Sequence, residues 1–248
     1  MKYRARAIIA SFALPLLLGC GVRLPLAPIK GDPLVESQHI EELIEKGSTE
    51  ITSVRALYRG TLITGDRRSA GRYVLAYEVP FKARVEVLSH AIGTALLLGV
   101  FDHEGGTIVD GATGKEYEVT EPRIPILEGG NEYDLRILLP ILFGRIPSDS
   151  TPTSYAQSGT ETQVECLRDG LLVEIAPLFG TIEKAYFLSS DKKRVQAEVE
   201  LGDYRVVQGI AIPHSVRLRE YESNSSAEFV LQSVSLNKDI PDEIFKFK

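Results

Sequence analysis

Tryptophan is absent from this chain, and only two cysteines and four histidines occur in its 248 residues. With Cys20 and Cys166 as the only thiols, no disulfide framework can be built, and the fold has to rest on its core. His39, His90, His103 and His214 stand in no H-E-x-x-H setting, and no C-x-x-C occurs, so the usual zinc spacings are missing. There is no G-x-S-x-G elbow, P-loop or G-x-G-x-x-G fingerprint. The one dense polar cluster, Asp102-His103-Glu104, precedes a Gly-Gly pair and reads as a solvated turn. We therefore expect no catalytic residues, no metal and no cofactor: a protein that is not an enzyme. Apolar runs are also short, and none reaches the roughly 20 residues of a membrane-crossing helix.

What the first twenty residues do contain fixes a compartment. Lys2, Arg4 and Arg6 precede an apolar stretch from Ala7 to Leu18, the order of a secretory signal. It ends in Leu17-Leu18-Gly19-Cys20, similar to a bacterial lipobox, in which the cysteine is acylated and becomes the new N-terminus. The expected organisation is a signal peptide over 1–19, a lipidated tether over 20–31 and a single domain over 32–248. Gly21 after the cysteine resembles the sorting signal for the outer membrane, so the expected location is its periplasmic face, held by lipid. Three of the 28 basic residues and none of the 34 acidic ones lie in the signal, leaving nine more acids than bases. A surface of that sign argues against a nucleic-acid partner or an anionic headgroup surface.

The remainder alternates like a β protein. Asp32-Pro33 to Gly47 suggests one helix. Then Val54, Ala56, Tyr58 and Leu62 share a face while Arg55 and Arg59 point away, and Tyr73, Leu75, Tyr77 and Val79 repeat the pattern. Ala83, Val85 and Val87 do the same, and GTIVDGATGKEYEV reads as a hairpin. Asn131 to Phe143 breaks the period: it predicts a helix capped by Asn131 and kinked or ended at Pro140. The Ser/Thr-rich run from Ser148 to Thr162 predicts a long loop. Strands resume at QVECLRDGLLVEI, with a hairpin at Asp169-Gly170, and continue over 182–188, 194–201, 204–212, 216–221 and 228–236. A meander of this length cannot stay flat. The apolar runs Ala95 to Val100 and Leu135 to Phe143 supply more hydrophobic surface than one core needs, which points to a cavity for an apolar ligand.

Several stretches resemble the LolB-like outer-membrane lipoprotein receptors of the LolA/LolB-like lipoprotein localisation superfamily. They are RGTL after the first helix, KARVEVLSHAIGTALLLG, the hairpin TIVDGATGKEYEV and LLPILFGRIPSD. More loosely, IAIPHSVRLREYES and SLNKDIPDEIFKF look like closing strands of the wider superfamily. Where the family has a Pro-Leu-Gly turn this chain has Ala91-Ile92-Gly93. Pro147 falls one residue later than in the family, and the aromatic of the helix, often tryptophan there, is not one here.

The resemblance implies a mainly β fold: a strongly curved antiparallel sheet of about 11–12 strands forming an incomplete β-barrel, with helices as a lid. It implies an apolar cavity and a membrane-contacting turn, Ala91, Ile92 and Gly93, whose isoleucine meets lipid. The alternating faces assign Tyr58, Leu62, Tyr73, Leu75, Tyr77, Val85 and Leu97 to the cavity wall, and Leu138, Leu139 and Leu142 to the lid. The expected activity is binding acyl chains and helping to receive and insert lipoproteins into the outer membrane. Expected partners are the outer-membrane lipid bilayer, acylated lipoproteins or other lipid cargo, and a periplasmic LolA-like carrier, with the chain acting as a monomer. The alternative is a structural envelope lipoprotein, or a lipid-binding component of another envelope transport system.

Overall fold

A computed structural model describes residues 45, 49–89, 93–125, 127, 130–147, 152–158, 161–166, 170–176, 180–189 and 194–247; for 152–158 and 161–166 the backbone pairing alone is described. The signal, the tether, nearly all of the first expected helix, and Ala91 and Ile92 lie outside these residues.

In chain order the strands are β1 (Ser53–Thr64), β2 (Arg67–Glu78), β3 (Lys82–Ser89), β4 (Ala95–Phe101), β5 (Gly106–Asp110) and β6 (Glu116–Val119). Next come β7 (Arg123–Pro125), β8 (Glu132–Asp134) and the helix α1 (Leu135–Leu142). The second half holds β9 (Pro152–Ser158), β10 (Glu161–Cys166), β11 (Leu171–Ala176), β12 (Thr181–Leu188), β13 (Val195–Val207), β14 (Ile210–Glu220) and β15 (Ser225–Leu236). A 3-10 turn, Asp242–Phe245, follows.

Two meanders build one 13-stranded antiparallel sheet, and they are joined where the first strand pairs with the last. The order is β6-β5-β4-β3-β2-β1-β15-β14-β13-β12-β11-β10-β9, with β7 and β8 as a separate small hairpin. The edge strands β6 and β9 do not pair, so the sheet curves without closing: an incomplete barrel with one more strand, counting β7 and β8 apart, than the longest expectation. The core explains the curvature. Val54, Ala56 and Tyr58 of β1, Ala83 and Val85 of β3, Val199 and Leu201 of β13 and Val216 and Leu218 of β14 are all buried on one face. Helix α1 lies against that face with Leu135, Ile137, Leu138, Leu139 and Ile141 buried.

Three local expectations need correction. The helix is capped by Asp134, not Asn131: Asp134 is extended and its Oδ1 accepts the Arg136 N–H at 2.9 Å, while the Asn131 N–H donates to Glu220. Residues 132–134 form β8 instead, paired with β7. Residues 148–162 are not simply a loop, because 152–158 form β9, an edge strand paired with β10; Thr153 and Tyr155 are residue types that favour strands. Finally, no break separates 201 from 204. The strand runs through Asp203, at φ 50°, and turns only at Gln208-Gly209 (φ 52° and 85°), a left-handed pair that suits the twist of a two-residue hairpin.

Pro140 sits in the last turn of α1, where it removes one helical hydrogen bond and the helix ends two residues later. The end is a Schellman motif: the Arg145 N–H reaches the Pro140 carbonyl at 2.9 Å and the Gly144 N–H the Ile141 carbonyl at 2.8 Å. Gly144 adopts φ 72°, and a Cβ there would stand 2.9 Å from the Tyr204 hydroxyl. Glycine is thus required twice over, by the backbone and by the neighbour.

Candidate functional site

Between α1 and the concave face of the sheet is an apolar cavity of about 470 Å³. Helix α1 contributes Leu135, Leu138, Leu139 and Leu142, spaced i, i+3, i+4 and i+7 so that all four fall on one stripe. Its floor is buried: Tyr58, Leu75, Val85, Val216 and Leu218 are each at most 7% exposed. On β1, β2 and β3 exposure rises toward one end. Tyr58 gives way to half-buried Leu62 on β1, Leu75 to Tyr73 on β2, and Val85 to Val87 on β3. Leu96, 49% exposed, lies at the rim. The mouth therefore opens toward the β1–β2 and β3–β4 turns. At the second of these the Gly93 N–H donates to the Ser89 carbonyl at 3.1 Å.

Six of the seven residues expected in the wall line this cavity: Tyr58, Leu62, Tyr73, Leu75, Val85 and Leu97. All three expected lid residues, Leu138, Leu139 and Leu142, line it too. Tyr77 is the exception. It shares the face but sits deeper, packed edge-on to Phe81 (6.3 Å between centroids) and beside Pro140 and Phe143 under the end of α1.

Besides Ile108 of β5 and Ile124 and Pro125 of β7, two kinds of lining residue escaped sequence reasoning. Val216, Leu218 and Phe229 come from the C-terminal strands, brought in by the β1–β15 pairing, for which no local signal exists. Leu96 lines the cavity together with its neighbour Leu97, although adjacent strand residues ordinarily face opposite ways. The register between β3 and β4 shifts beyond the Val87–Leu97 pair, so Leu88 opposes Ala95 and Leu96 is the extra residue. Such a bulge re-aims a side chain.

An aromatic group stands on the wall. Tyr73 and Phe229 meet edge to face at 5.0 Å, and Phe229 meets Tyr58 in the same way at 6.4 Å. Gly60 makes this possible: a Cβ there would lie 2.6 Å from both Tyr73 and Phe229 ring atoms. Burial holds both tyrosines neutral, pushing Tyr73 up to about 12 and Tyr58 higher still. The Tyr58 hydroxyl is buried with no hydrogen-bond partner among the described residues. No ionisable side chain of the described residues other than these two phenols lines the cavity. Among the described residues no group of three His, Cys, Asp or Glu could hold a metal. Asp102-His103-Glu104 is an exposed turn in which Asp102 Oδ1 accepts the Glu104 N–H at 2.9 Å. What the cavity offers a ligand is burial.

This fold is shared with solved structures. A LolA superfamily protein from Nitrosomonas europaea superposes with a TM-score of 0.64 at 14% identity, covering 86% of this chain and 98% of its own. A domain from Vibrio parahaemolyticus provisionally assigned to outer-membrane lipoprotein sorting gives 0.60 at 9% identity, covering 83% and 94%. A DUF1329 family protein from Desulfovibrio piger gives 0.62 at 8%, covering 87% and 98%. No family model and no curated protein sequence matches the chain.

Proposed function

We propose that this protein is a non-enzymatic, lipid-anchored receptor that takes acyl chains into its cavity and helps place lipoproteins in the outer membrane. The observation that carries the reading is the apolar cavity of about 470 Å³, open at one end and with no charged side chain among the described residues that line it. An apolar cavity of about 150 Å³ holds one benzene, so this one has room for roughly eighteen carbons, a single acyl chain. Transfer would be partition: the chain moves from a carrier to this cavity and then to the bilayer, driven by apolar burial of roughly 25 cal/mol per Å². Cys20 supplies the anchor, its acyl chains each adding roughly 0.8 kcal/mol per buried methylene. The LolA-type fold of the neighbours supports a lipid or lipoprotein cargo over the alternative of a purely structural envelope lipoprotein, because a filler protein has no use for an open apolar space.

The test uses the unacylated Cys20→Ala chain. It should leave the membrane fraction, bind a fluorescent fatty-acid probe saturably at one site, and accept an acylated lipoprotein from a donor complex. A folded chain that binds neither probe nor lipoprotein refutes the reading.

A further inference from the structure

We infer that the outer face of the β1–β2 hairpin is a docking surface for an anionic phospholipid bilayer, orienting the cavity mouth toward it. The inference rests on the reading that acyl chains leave through that mouth, and it adds the lipid charge the protein recognises.

The chain is acidic overall, yet β1, β2 and their turn carry Arg55, Arg59, Arg67, Arg68 and Arg72 against two acids, Asp66 and Glu78, and Glu78 stands at the end of β2 away from the turn. All five arginines are exposed, and none makes an ion pair or side-chain hydrogen bond with a described residue. Several arginines elsewhere are held: Arg84 by Glu86, Arg136 by Asp134, and Arg217 by Glu200 and Glu228. The carboxylates on the strands flanking the hairpin are therefore taken. Glu86 of β3 is engaged by Arg84, and Glu228 of β15 by Arg217 at 3.4 Å.

The register sharpens the point. Arg59 and Arg72 are direct cross-strand partners, flanked by Val230 on β15 and Leu88 on β3, giving a row Val230–Arg59–Arg72–Leu88 over four strands. Like charges placed opposite each other destabilise a sheet unless an anion comes from outside. Val230 is 50% exposed. Arg67 and Arg68 extend the patch around the hairpin turn, at the end where the cavity opens. The Arg72 guanidinium reaches the foot of the β3–β4 turn, lying 3.1 Å from where a Cβ on Gly93 would stand. Arginines interleaved with exposed aliphatics beside an apolar mouth match a membrane interface, where cations meet phosphates and aliphatics enter the acyl boundary. An acidic protein would account for the arginines but not for the exposed Val230 and Leu96.

The experiment is sedimentation of the unacylated chain with vesicles of phosphatidylcholine alone or mixed with phosphatidylglycerol, at low and high salt. Fatty-acid probe binding and thermal unfolding are measured on the same samples. Binding should need the anionic lipid and weaken with salt. Arg59→Ser with Arg72→Ser should weaken it on the order of tenfold or more, and adding Arg67→Ser and Arg68→Ser should abolish it, since each cation near such a surface contributes roughly a fivefold change. Probe affinity should stay unchanged, and the unfolding temperature should not fall, since relief of the Arg59–Arg72 repulsion acts in the stabilising direction. Vesicle binding that ignores lipid charge, or survives loss of the four arginines, overturns the inference and leaves an acidic protein as the partner of the patch. Loss of probe binding in the parent chain would instead strike the function proposed above, whatever the vesicles show.

Discussion

Val85 lies on the cavity floor, 7% exposed and facing α1 across the open space. In a filled core, replacing it with phenylalanine would force off-rotamer side chains and backbone shifts at a cost of about 1–3 kcal/mol. In this structure the ring has somewhere to go. It would occupy on the order of 50 Å³ of the cavity, and at about 24 cal/mol per Å³ the gain is ~1 kcal/mol. For a chain of this size that is a rise of roughly 2–4 °C in Tm. The same volume is denied to a ligand: about two methylenes of an acyl chain lose their place, at roughly 0.8 kcal/mol each, so affinity should fall about tenfold. Val85→Phe is thus expected to raise stability and lower acyl affinity together, read by scanning calorimetry and by titration with a fatty-acid probe. A drop in both would show an ordinary core. A stabilised chain with unchanged affinity would show that ligands bind elsewhere.

Leu138 is 2% exposed and Leu142 only half-buried, so the two aspartate variants should differ. Leu138→Asp buries a carboxylate without a partner and should abolish cooperative unfolding, whereas Leu142→Asp should stay folded and lose probe binding; circular dichroism melts beside probe titrations check both. Folded Tyr73 holds its proton up to about pH 12, while in the unfolded chain it ionises near its ordinary value of 10.0. Its contribution is therefore fully present below pH 10 and lost as pH rises toward 12; phenolate absorbance with denaturant melts across that window tests this, and an unshifted titration would contradict the burial. Ile92→Glu, on the turn expected to meet lipid, should leave acceptance of cargo intact and block its delivery to liposomes; a destabilised fold with impaired acceptance would make Ile92 a core residue.

How far the sequence carries depends on which interaction decides a residue's position. Alternation over β1, β2 and β3 is local, and it correctly separated Tyr58, Leu62, Tyr73 and Leu75 from the outward Arg55 and Arg59. The leucine stripe of α1 was legible for the same reason, although its cap was not: Asn131 and Asp134 both suit an N-cap, and the choice fell to the β7–β8 pairing. Phe229 and Val216 were illegible because a strand more than 150 residues distant closes against β1, and no local pattern encodes that pairing. Nor could alternation place Leu96, since a bulge moves one side chain against the period. Net charge describes the whole chain and not one face of it. An acidic total argues against an anionic surface, while the register gathers on one hairpin five arginines that no described carboxylate holds.

The most direct test is to purify the unacylated chain, extract it with organic solvent and weigh bound lipid against protein by mass spectrometry. The account predicts an acyl lipid at close to one chain per protein, displaced by a fatty-acid probe and diminished in Val85→Phe. Protein that carries no acyl lipid and binds no probe would contradict it.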